Sequence, residues 1–298
     1  MSSFLGVDVG GTKVAVAAVE GGEALHAVEH PTPLESADAL LACIEQAVAE
    51  VAAQAGSPAA VGVGVPSQIE WATGRVLASV NIPLADVPLR EELGRRLGVP
   101  VYVDNDASCA ALAEAHAIGA HELVMLTLGT GVGGGIVTGG RIFRGAHGLG
   151  GELGHVVVEA DGPECPGNCP NRGCLEALCS GTALERAAGR KGRDVVAAAR
   201  AGDADAQGHL DRLARYLGIG ISNMVNAFQP ETVAIGGGLS AAADLFLDRA
   251  VAEASSRALP ALWERVTVQV AQAGNAAGMI GAGLLALQEH AARGDTAT

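Results

Sequence analysis

Short apolar runs alternate with longer stripes of helical spacing along this chain. Phe4–Val9 is an apolar run that carries Asp8 and ends in Gly10-Gly11-Thr12; Val14–Val19 resumes at once. Two β-like runs joined by a tight Gly turn predict a hairpin. Ala37–Gln54 places Leu40, Leu41, Ile44, Val48 and Val51 on one helical face and stops near Gly56. Ala60–Val65 predicts a buried strand ending in Pro66. Leu89–Leu97 predicts a short helix closed by Gly98, followed by a strand over Val101–Val103 and a helix over Ala107–Ala117. A second series then begins, with a strand at Leu123–Leu128, a Gly-rich turn at Gly129–Gly135 and a strand at Ile136–Thr138. It repeats the N-terminal layout and points to an internal duplication. Gly148–Cys179 is irregular and rich in Cys, Gly and Pro. Beyond it come a long helix (Ala206–Asn226), strands at Thr232–Ile235 and Val266–Val270, and a closing helix at Gly278–His290. The polar tail after Ala291 is expected to fray. Strands alternating with helices predict α/β architecture.

Composition narrows the function. Hydrophobic residues make up 49% of the 298 and charged residues 17%, enough to bury a large core and exclude global disorder. Lys and Arg number 19 against 33 Asp and Glu, a net charge of −14. That field has the wrong sign for nucleic acid, and 3% aromatics offers no stacking platform. An anionic ligand must therefore be held by local devices, such as backbone amides or a metal. No signal peptide and no apolar stretch long enough to span a membrane is visible. The expected location is the cytoplasm, where the six Cys would be thiols or metal ligands.

The Gly-rich turns suggest phosphate binding. In Asp8–Lys13, Gly10 and Gly11 let the backbone approach a phosphate, Thr12 adds a hydroxyl, and Asp8 could hold the water shell of Mg²⁺. An ordinary Gly hairpin with a surface Asp explains the same residues. Thr127–Gly135 repeats the device with Thr130 and Gly131. It is neither a dinucleotide fingerprint, since a β-like run follows, nor a Walker loop, since Gly-Lys-Ser/Thr is missing. Gly236, Gly237 and Gly238 form a third turn at a strand end. Each alone could be a simple turn; three together favour a nucleotide. Asp104, Asn105 and Asp106 sit at the carboxyl end of a buried strand, where ligands of α/β sheets gather. Asp106 could accept a proton from a substrate hydroxyl and Asn105 could orient another. The competing explanation is an N-cap for the next helix.

His155, Cys165, Cys169 and Cys174 make a set of one His and three Cys suited to a closed tetrahedral Zn²⁺. Four protein ligands leave no position for water, so the zinc would be structural. Glu152 and Glu176 flank the loop and could grip sugar hydroxyls or stand as solvated charges. Arg144 and His147 precede the loop without an assignable partner. Cys43 and Cys109 lie on helical apolar faces and read as core.

Taken together, these residues resemble the ROK family of repressors and sugar kinases over nearly the whole chain. The carrying motifs are Asp8–Lys13, Asn105-Asp106-Ala107, Gly129–Gly135, Gly151-Glu152-Leu153-Gly154-His155, Gly173-Cys174-Leu175-Glu176 and Ile235–Leu239. The likeness is greatest to its glucokinase branch. The resemblance implies a two-domain, actin-like (ribonuclease H-like, hexokinase-type) ATPase fold with an interdomain cleft and a zinc-bearing loop. The expected domains are 1–115, joined by the closing helix 278–298, and 116–277 with the zinc loop 155–174. The resemblance also implies that Asp106 is the general base toward the 6-hydroxyl of a hexose. Asn81, Asn105, Glu152, His155 and Glu176 would hold the sugar, with His155 also on zinc. Asp8, Gly10, Gly11, Thr12, Lys13, Thr130, Gly131 and Gly236–Gly238 would hold ATP.

The implied activity is ATP:hexose 6-phosphotransfer, most simply to D-glucose, in a homodimer or homotetramer. Mannose, fructose or an N-acyl hexosamine is the alternative substrate, and a non-catalytic sugar sensor the alternative class. Family repressors carry an N-terminal helix-turn-helix, whereas here the first strand starts by Phe4. The chain departs from the family pattern at four places: Cys165-x3-Cys169 replaces Cys-x-Cys, Val65-Pro66-Ser67 replaces Val-Pro-Gly, Val80 precedes Asn81 in place of Pro, and Ser108-Cys109 replaces Asn-Ala after Asp106. The second and third flank the expected sugar pocket, and the fourth affects packing.

Overall fold

The computed structural model describes residues 3–167 and 169–294. The first half runs β1 (Ser3–Val9), β2 (Lys13–Glu20), β3 (Glu23–Pro31), α1 (Ala37–Ala55), β4 (Pro58–Val65), β5 (Ser67–Glu70), β6 (Arg75–Ser79), α2 (Leu89–Leu97), β7 (Val101–Asn105) and α3 (Asp106–Ile118). The second runs β8 (Leu123–Leu128), β9 (Val132–Thr138), β10 (Arg141–Ile142), α4 (Leu175–Cys179), α5 (Gly181–Ala188), α6 (Gly192–Arg200), α7 (Ala204–Phe228), β11 (Thr232–Gly236), α8 (Leu247–Ser255), α9 (Pro260–Trp263), β12 (Thr267–Val270) and α10 (Ala277–Gly294). Short 3₁₀ turns lie at Leu153–His155, Gly238–Leu245 and Gly274–Ala276.

The duplication is real at the level of topology. One sheet has the order β3-β2-β1-β4-β7 and the other β10-β9-β8-β11-β12. In the first, β1, β4 and β7 are parallel and β2 and β3 antiparallel. In the second, β8, β11 and β12 are parallel, and β9 pairs antiparallel with β10.

Two compact units result. The first comprises Met1–His121, Gly135–Gly151 and Gln272–Thr298; the second comprises Glu122–Gly134 and Glu152–Ala271. The expected division at 115/116 and 277/278 differs from this at both ends. It also misses that 135–151 belongs with the first unit. Pattern alone marks elements, not which neighbours each one packs on, and the boundary here falls inside β9.

The first unit's sheet is covered on both faces, which explains runs of uninterrupted apolar residues. Leu5, Val7, Val61 and Val63 pack in one core cluster with Leu40, Leu41, Ile44, Val48 and Val51 of α1. Ala60 and Tyr102 pack with Cys109 and Leu112 of α3 and Ala282, Leu284 and Leu285 of α10. The α10 backbone lies directly on the strands. A Cβ at Gly6 would stand 1.8 Å from the Met279 carbonyl oxygen, and one at Gly62 1.7 Å from that of Ala282. In the same seam, a Cβ at Gly281 would stand 1.7 Å from the carbonyl oxygen of Cys109.

Several elements differ from expectation. β9 begins at Val132, so Gly133–Gly135 are strand and not turn. The edge strand β3, the β5–β6 hairpin and helices α4, α5, α6, α8 and α9 had no predicted counterpart. The expected fraying after Ala291 does not start there: 292–294 continue α10, and 295–298 lie outside the described residues. Among the described residues, no helix is long and apolar enough to cross a membrane.

Candidate functional site

The predicted site residues fall into two sets, one on each unit. In the first unit, β1 delivers Asp8 to the mouth of the β1–β2 turn. The Gly10 amide donates to the Lys13 carbonyl at 2.8 Å, closing the turn. Thr32, unmarked in the sequence, braces it: its hydroxyl donates to the Gly10 carbonyl at 2.7 Å and its amide to the Thr12 carbonyl at 3.0 Å. Lys13 pairs with Glu29 across the β2–β3 ladder. Asn81 sits beside the turn, its Cβ 3.6 Å from where a Gly11 Cβ would be.

Strand β7 delivers Asn105 and Asp106. Asn105 caps α3, its Oδ1 accepting from the amides of Ala107 (2.9 Å) and Ser108 (3.2 Å). The capping explanation is thus correct for Asn105, and a cap at this strand end also fixes the residue that follows. Asp106 opens the helix with Oδ1 accepting from its neighbour's amide at 2.8 Å. Across the sheet, Asp8 registers with Gly64 and Gly64 with Asp104, so no side chain intervenes in the middle row. Burial and then the negative charge of Asp106 raise the Asp8 carboxyl from 3.8 to about 6, against the lowering effect of Lys13. A carboxylate destabilised in this way is a receptive partner for a cation.

In the second unit, the β8–β9 turn is held from behind by residues the sequence did not mark. The Gly181 amide donates to Gly129 at 2.8 Å, and the Thr182 hydroxyl donates to the Thr130 carbonyl at 2.8 Å. Gly236 ends β11. Gly237 has φ +81°, and a Cβ there would meet the Leu128 carbonyl oxygen at 2.4 Å. The third Gly cluster therefore lies against the base of the second turn. Glu176 also reaches that turn: its Oε2 accepts the Val132 amide at 2.9 Å and would collide with any Cβ at Gly131. Its other oxygen accepts from the Cys165 thiol at 3.4 Å. Glu176 thus joins the Cys loop to the turn.

His155, Cys165, Cys169 and Cys174 converge, with one ligand atom from each lying within 4.8 Å of all the others. Tetrahedral zinc with ligand bonds of about 2.0–2.3 Å needs sulfur and nitrogen atoms roughly 3.5–4 Å apart. The His155 Nδ1 to Cys165 Sγ separation of 3.8 Å meets that. The four residues could hold zinc. Cys165 belongs to the set despite its altered spacing, because a bridge between Glu164 and Arg172 and the Cys165 amide bond to Asn171 fold the longer loop back. Burial raises the Cys165 and Cys174 thiols, so metal binding there must displace protons. Glu152 precedes the 3₁₀ turn that ends in His155, with its Oε2 4.0 Å from His155 Nε2.

Arg144, unassigned in the sequence, has well-defined partners. Its Nε donates to Asp104 Oδ2 at 2.7 Å and its Nη2 to Glu289 Oε1 at 3.3 Å. Its guanidinium carbon lies 3.5 Å from the Trp71 ring centroid.

The family model described as ROK family matches residues 4–289. This chain belongs to the ROK family. It is 36% identical to a glucokinase of Halalkalibacterium halodurans, covering 96% of each chain. It is 37% identical to an N-acetyl-D-glucosamine kinase of Aliivibrio salmonicida over 80% of this chain and 84% of that one. The crystal structure of a ROK family glucokinase from Streptomyces griseus in complex with glucose and AMPPNP superposes with a TM-score of 0.80 at 34% identity. That match covers 96% of this chain and 100% of the other. The α/β, hexokinase-type fold expected from the motifs is the fold observed.

Proposed function

We propose that this ROK protein transfers the γ-phosphoryl group of ATP to the 6-hydroxyl of a hexose, with D-glucose the preferred acceptor. The observation that carries the reading is the carboxylate pair Asp106 and Asp8, close enough for the charge of one to raise the other, with Asp8 at the end of β1 before the Gly10-Gly11 turn and Asp106 where β7 passes into α3. Asp106 accepts the proton of the 6-hydroxyl, whose oxygen then attacks the γ-phosphorus in line while the bond to the β-phosphate oxygen breaks. Asn105 orients a neighbouring hydroxyl, and Asn81, Glu152, His155 and Glu176 are assigned to sugar recognition. The amides and hydroxyl of Gly11–Lys13 and of Thr130–Gly131 receive phosphate oxygens, Gly10, whose own amide closes the turn, lets the phosphate approach, and Gly236–Gly238 flank the nucleoside. Mg²⁺ arriving with the nucleotide would be held through Asp8 and would neutralise phosphate charge. Zinc on His155, Cys165, Cys169 and Cys174 would crosslink the loop and take no part in the chemistry. Positioning and electrostatics supply most of the acceleration in such transfers. The thiol state of the cysteines suits a reducing, cytoplasmic setting.

An N-acyl hexosamine is the second reading, favoured by the N-acetyl-D-glucosamine kinase similarity. The test is ADP release with Mg-ATP across a hexose panel, alongside Asp106→Asn. The expected result is turnover on glucose and a loss of about 10²–10⁴ in kcat for the variant. Turnover on another hexose alone would replace the substrate. Near-normal kcat in Asp106→Asn would end the assignment of the base.

A further inference from the structure

Asp104 is a charged side chain only 6% exposed, at the end of a strand whose next two residues are Asn105 and Asp106. Its two oxygens do different things. Oδ1 accepts the Asn105 backbone amide at 2.9 Å, and Oδ2 accepts Arg144 Nε at 2.7 Å. Arg144 is 14% exposed and is itself fixed on three sides. Asp104 takes one edge, Glu289 takes Nη2, and Trp71 covers the guanidinium face. Glu289 is shared with Arg141 at 3.0 Å, and Arg90 stands 5.3 Å from the same Trp71 ring. Trp71 is held in turn by its amide bond to His147, on the loop that carries Arg144.

A buried ion pair is a poor source of stability, because desolvation consumes most of its attraction. What such a pair does well is fix geometry. Here the geometry it fixes is the peptide that leads into Asp106. The Asn105 amide is held from one side by Asp104, while the Asn105 side chain holds the first turn of α3 from the other. Asp106 therefore has its backbone clamped on both flanks.

We infer that Arg144 and Asp104 are positioning residues for the proposed base, setting the backbone from which Asp106 reaches the substrate hydroxyl. Neither touches substrate; both act through Asn105. The inference rests on the reading of Asp106 as base.

The test uses the full chain with Arg144→Met, Arg144→Lys, Asp104→Asn and the double variant Asp104→Asn/Arg144→Met. Lysine keeps the charge but cannot serve two carboxylates and stack on Trp71 together. Misplacement by a fraction of an ångström to 1 Å costs up to about 10²-fold in rate, so kcat should fall about 10–100-fold in Arg144→Met and less in Arg144→Lys. KM for Mg-ATP should stay within roughly threefold, since the groups assigned to the nucleotide are untouched, and KM for hexose should rise by less than kcat falls, since only Asn105 among the groups assigned to the sugar is displaced. Amide hydrogen exchange at Asn105–Ser108 should speed up at least about tenfold in Arg144→Met, while exchange in α1 is unchanged. The double variant removes the unpaired buried charge and keeps an oxygen for the Asn105 amide, so it should recover part of the kcat lost by Arg144→Met.

A kcat within roughly threefold of wild type, or exchange at Asn105–Ser108 unchanged, would overturn the inference. So would a kcat loss that comes with equal weakening of both KM values or with exchange rising across the whole unit. If Arg144→Met fails to fold, Arg144→Lys and Asp104→Asn carry the same comparisons. Wild-type protein that turns over no hexose would instead sink the proposed function, and the exchange arm would still decide whether the pair holds this backbone.

Discussion

Asp8 offers a prediction in which stability and activity move in opposite directions. Its carboxyl titrates at about 6 in the folded protein against 3.8 unperturbed, first because of burial and second because Asp106 is negative. A raised carboxylate pKa means the folded state holds a proton that the unfolded state has already lost. Between pH 4 and 6 the native protein binds more protons, so stability falls as pH rises through that window and stays reduced above it. Raising the carboxyl from 3.8 to about 6 costs up to about 3 kcal/mol at neutral pH, and about 2–3 once partial solvation of the carboxyl is allowed for. Asp8→Asn removes the charge and should recover that amount.

In urea, with a slope of about 3 kcal/mol per molar, the midpoint should rise by roughly 1 M at pH 7.5 and hardly move at pH 4. Trp71 reports on the first unit, and a Trp263→Phe background removes the other tryptophan. The same variant should lose phosphotransfer, because the proposed cation partner is gone. Equal midpoints for wild type and Asp8→Asn at pH 7.5, or a difference that does not shrink toward pH 4, would refute the reasoning.

The remaining predictions concern the metal and the seam. Purified protein should carry one zinc per chain. Cys165→Ser and Cys174→Ser should each lose it and lower the melting temperature, while Cys43→Ser keeps it; elemental analysis with thermal melts decides. Full zinc retention in Cys165→Ser would remove that residue from the ligand set. Gly281→Ala places a methyl 1.7 Å from the Cys109 carbonyl oxygen, a backbone atom that cannot swing away. It should cost more than about 3 kcal/mol or abolish soluble expression, and a melting point within a few degrees of wild type would contradict the seam as described.

Much of the fold was legible because buried two-faced strands and amphipathic helices write strong patterns. Leu89–Leu97 and Leu123–Leu128 match the expected limits residue for residue. β3 was invisible because an edge strand of Glu23–Pro31 is largely solvent-facing and carries Glu, His and Glu where an apolar alternation would be needed. The small helices α4–α6 were missed because each is only 5–9 residues long and is held by packing on α7, with a side-chain cap, Ser180, on α5 alone. At the candidate site, residue type and spacing were enough to single out the Gly turns and Asp106, and the His/Cys set that converges in the structure. The supporting partners were not exposed. Arg144 lies 40 positions from Asp104 and Thr182 lies 52 from Thr130, and no local pattern records a contact made only by folding. Glu176 was read as a sugar ligand from its motif; its bond to the Val132 amide required coordinates.

The shared sheet order gives a physical reason for dividing the proposed chemistry unequally. Matching the two orders pairs β1 with β8, β2 with β9, β4 with β11 and β7 with β12. The Gly10–Thr12 and Gly129–Gly131 turns then occupy one position in the duplicated plan, between the first strand of each half and its antiparallel neighbour. Beyond that, the halves diverge at the strand ends. β4 ends in Val65-Pro66, whereas β11 ends in Gly236-Gly237-Gly238; β7 ends in Asp104-Asn105-Asp106, whereas β12 ends in Val270-Ala271. Only the first half can supply a carboxylate at that place, and only the second has an open Gly edge beside its turn. The proposed base in the first unit and the proposed nucleoside edge in the second follow this divergence, since β12 has no carboxylate at the matching end and β4 no Gly cluster.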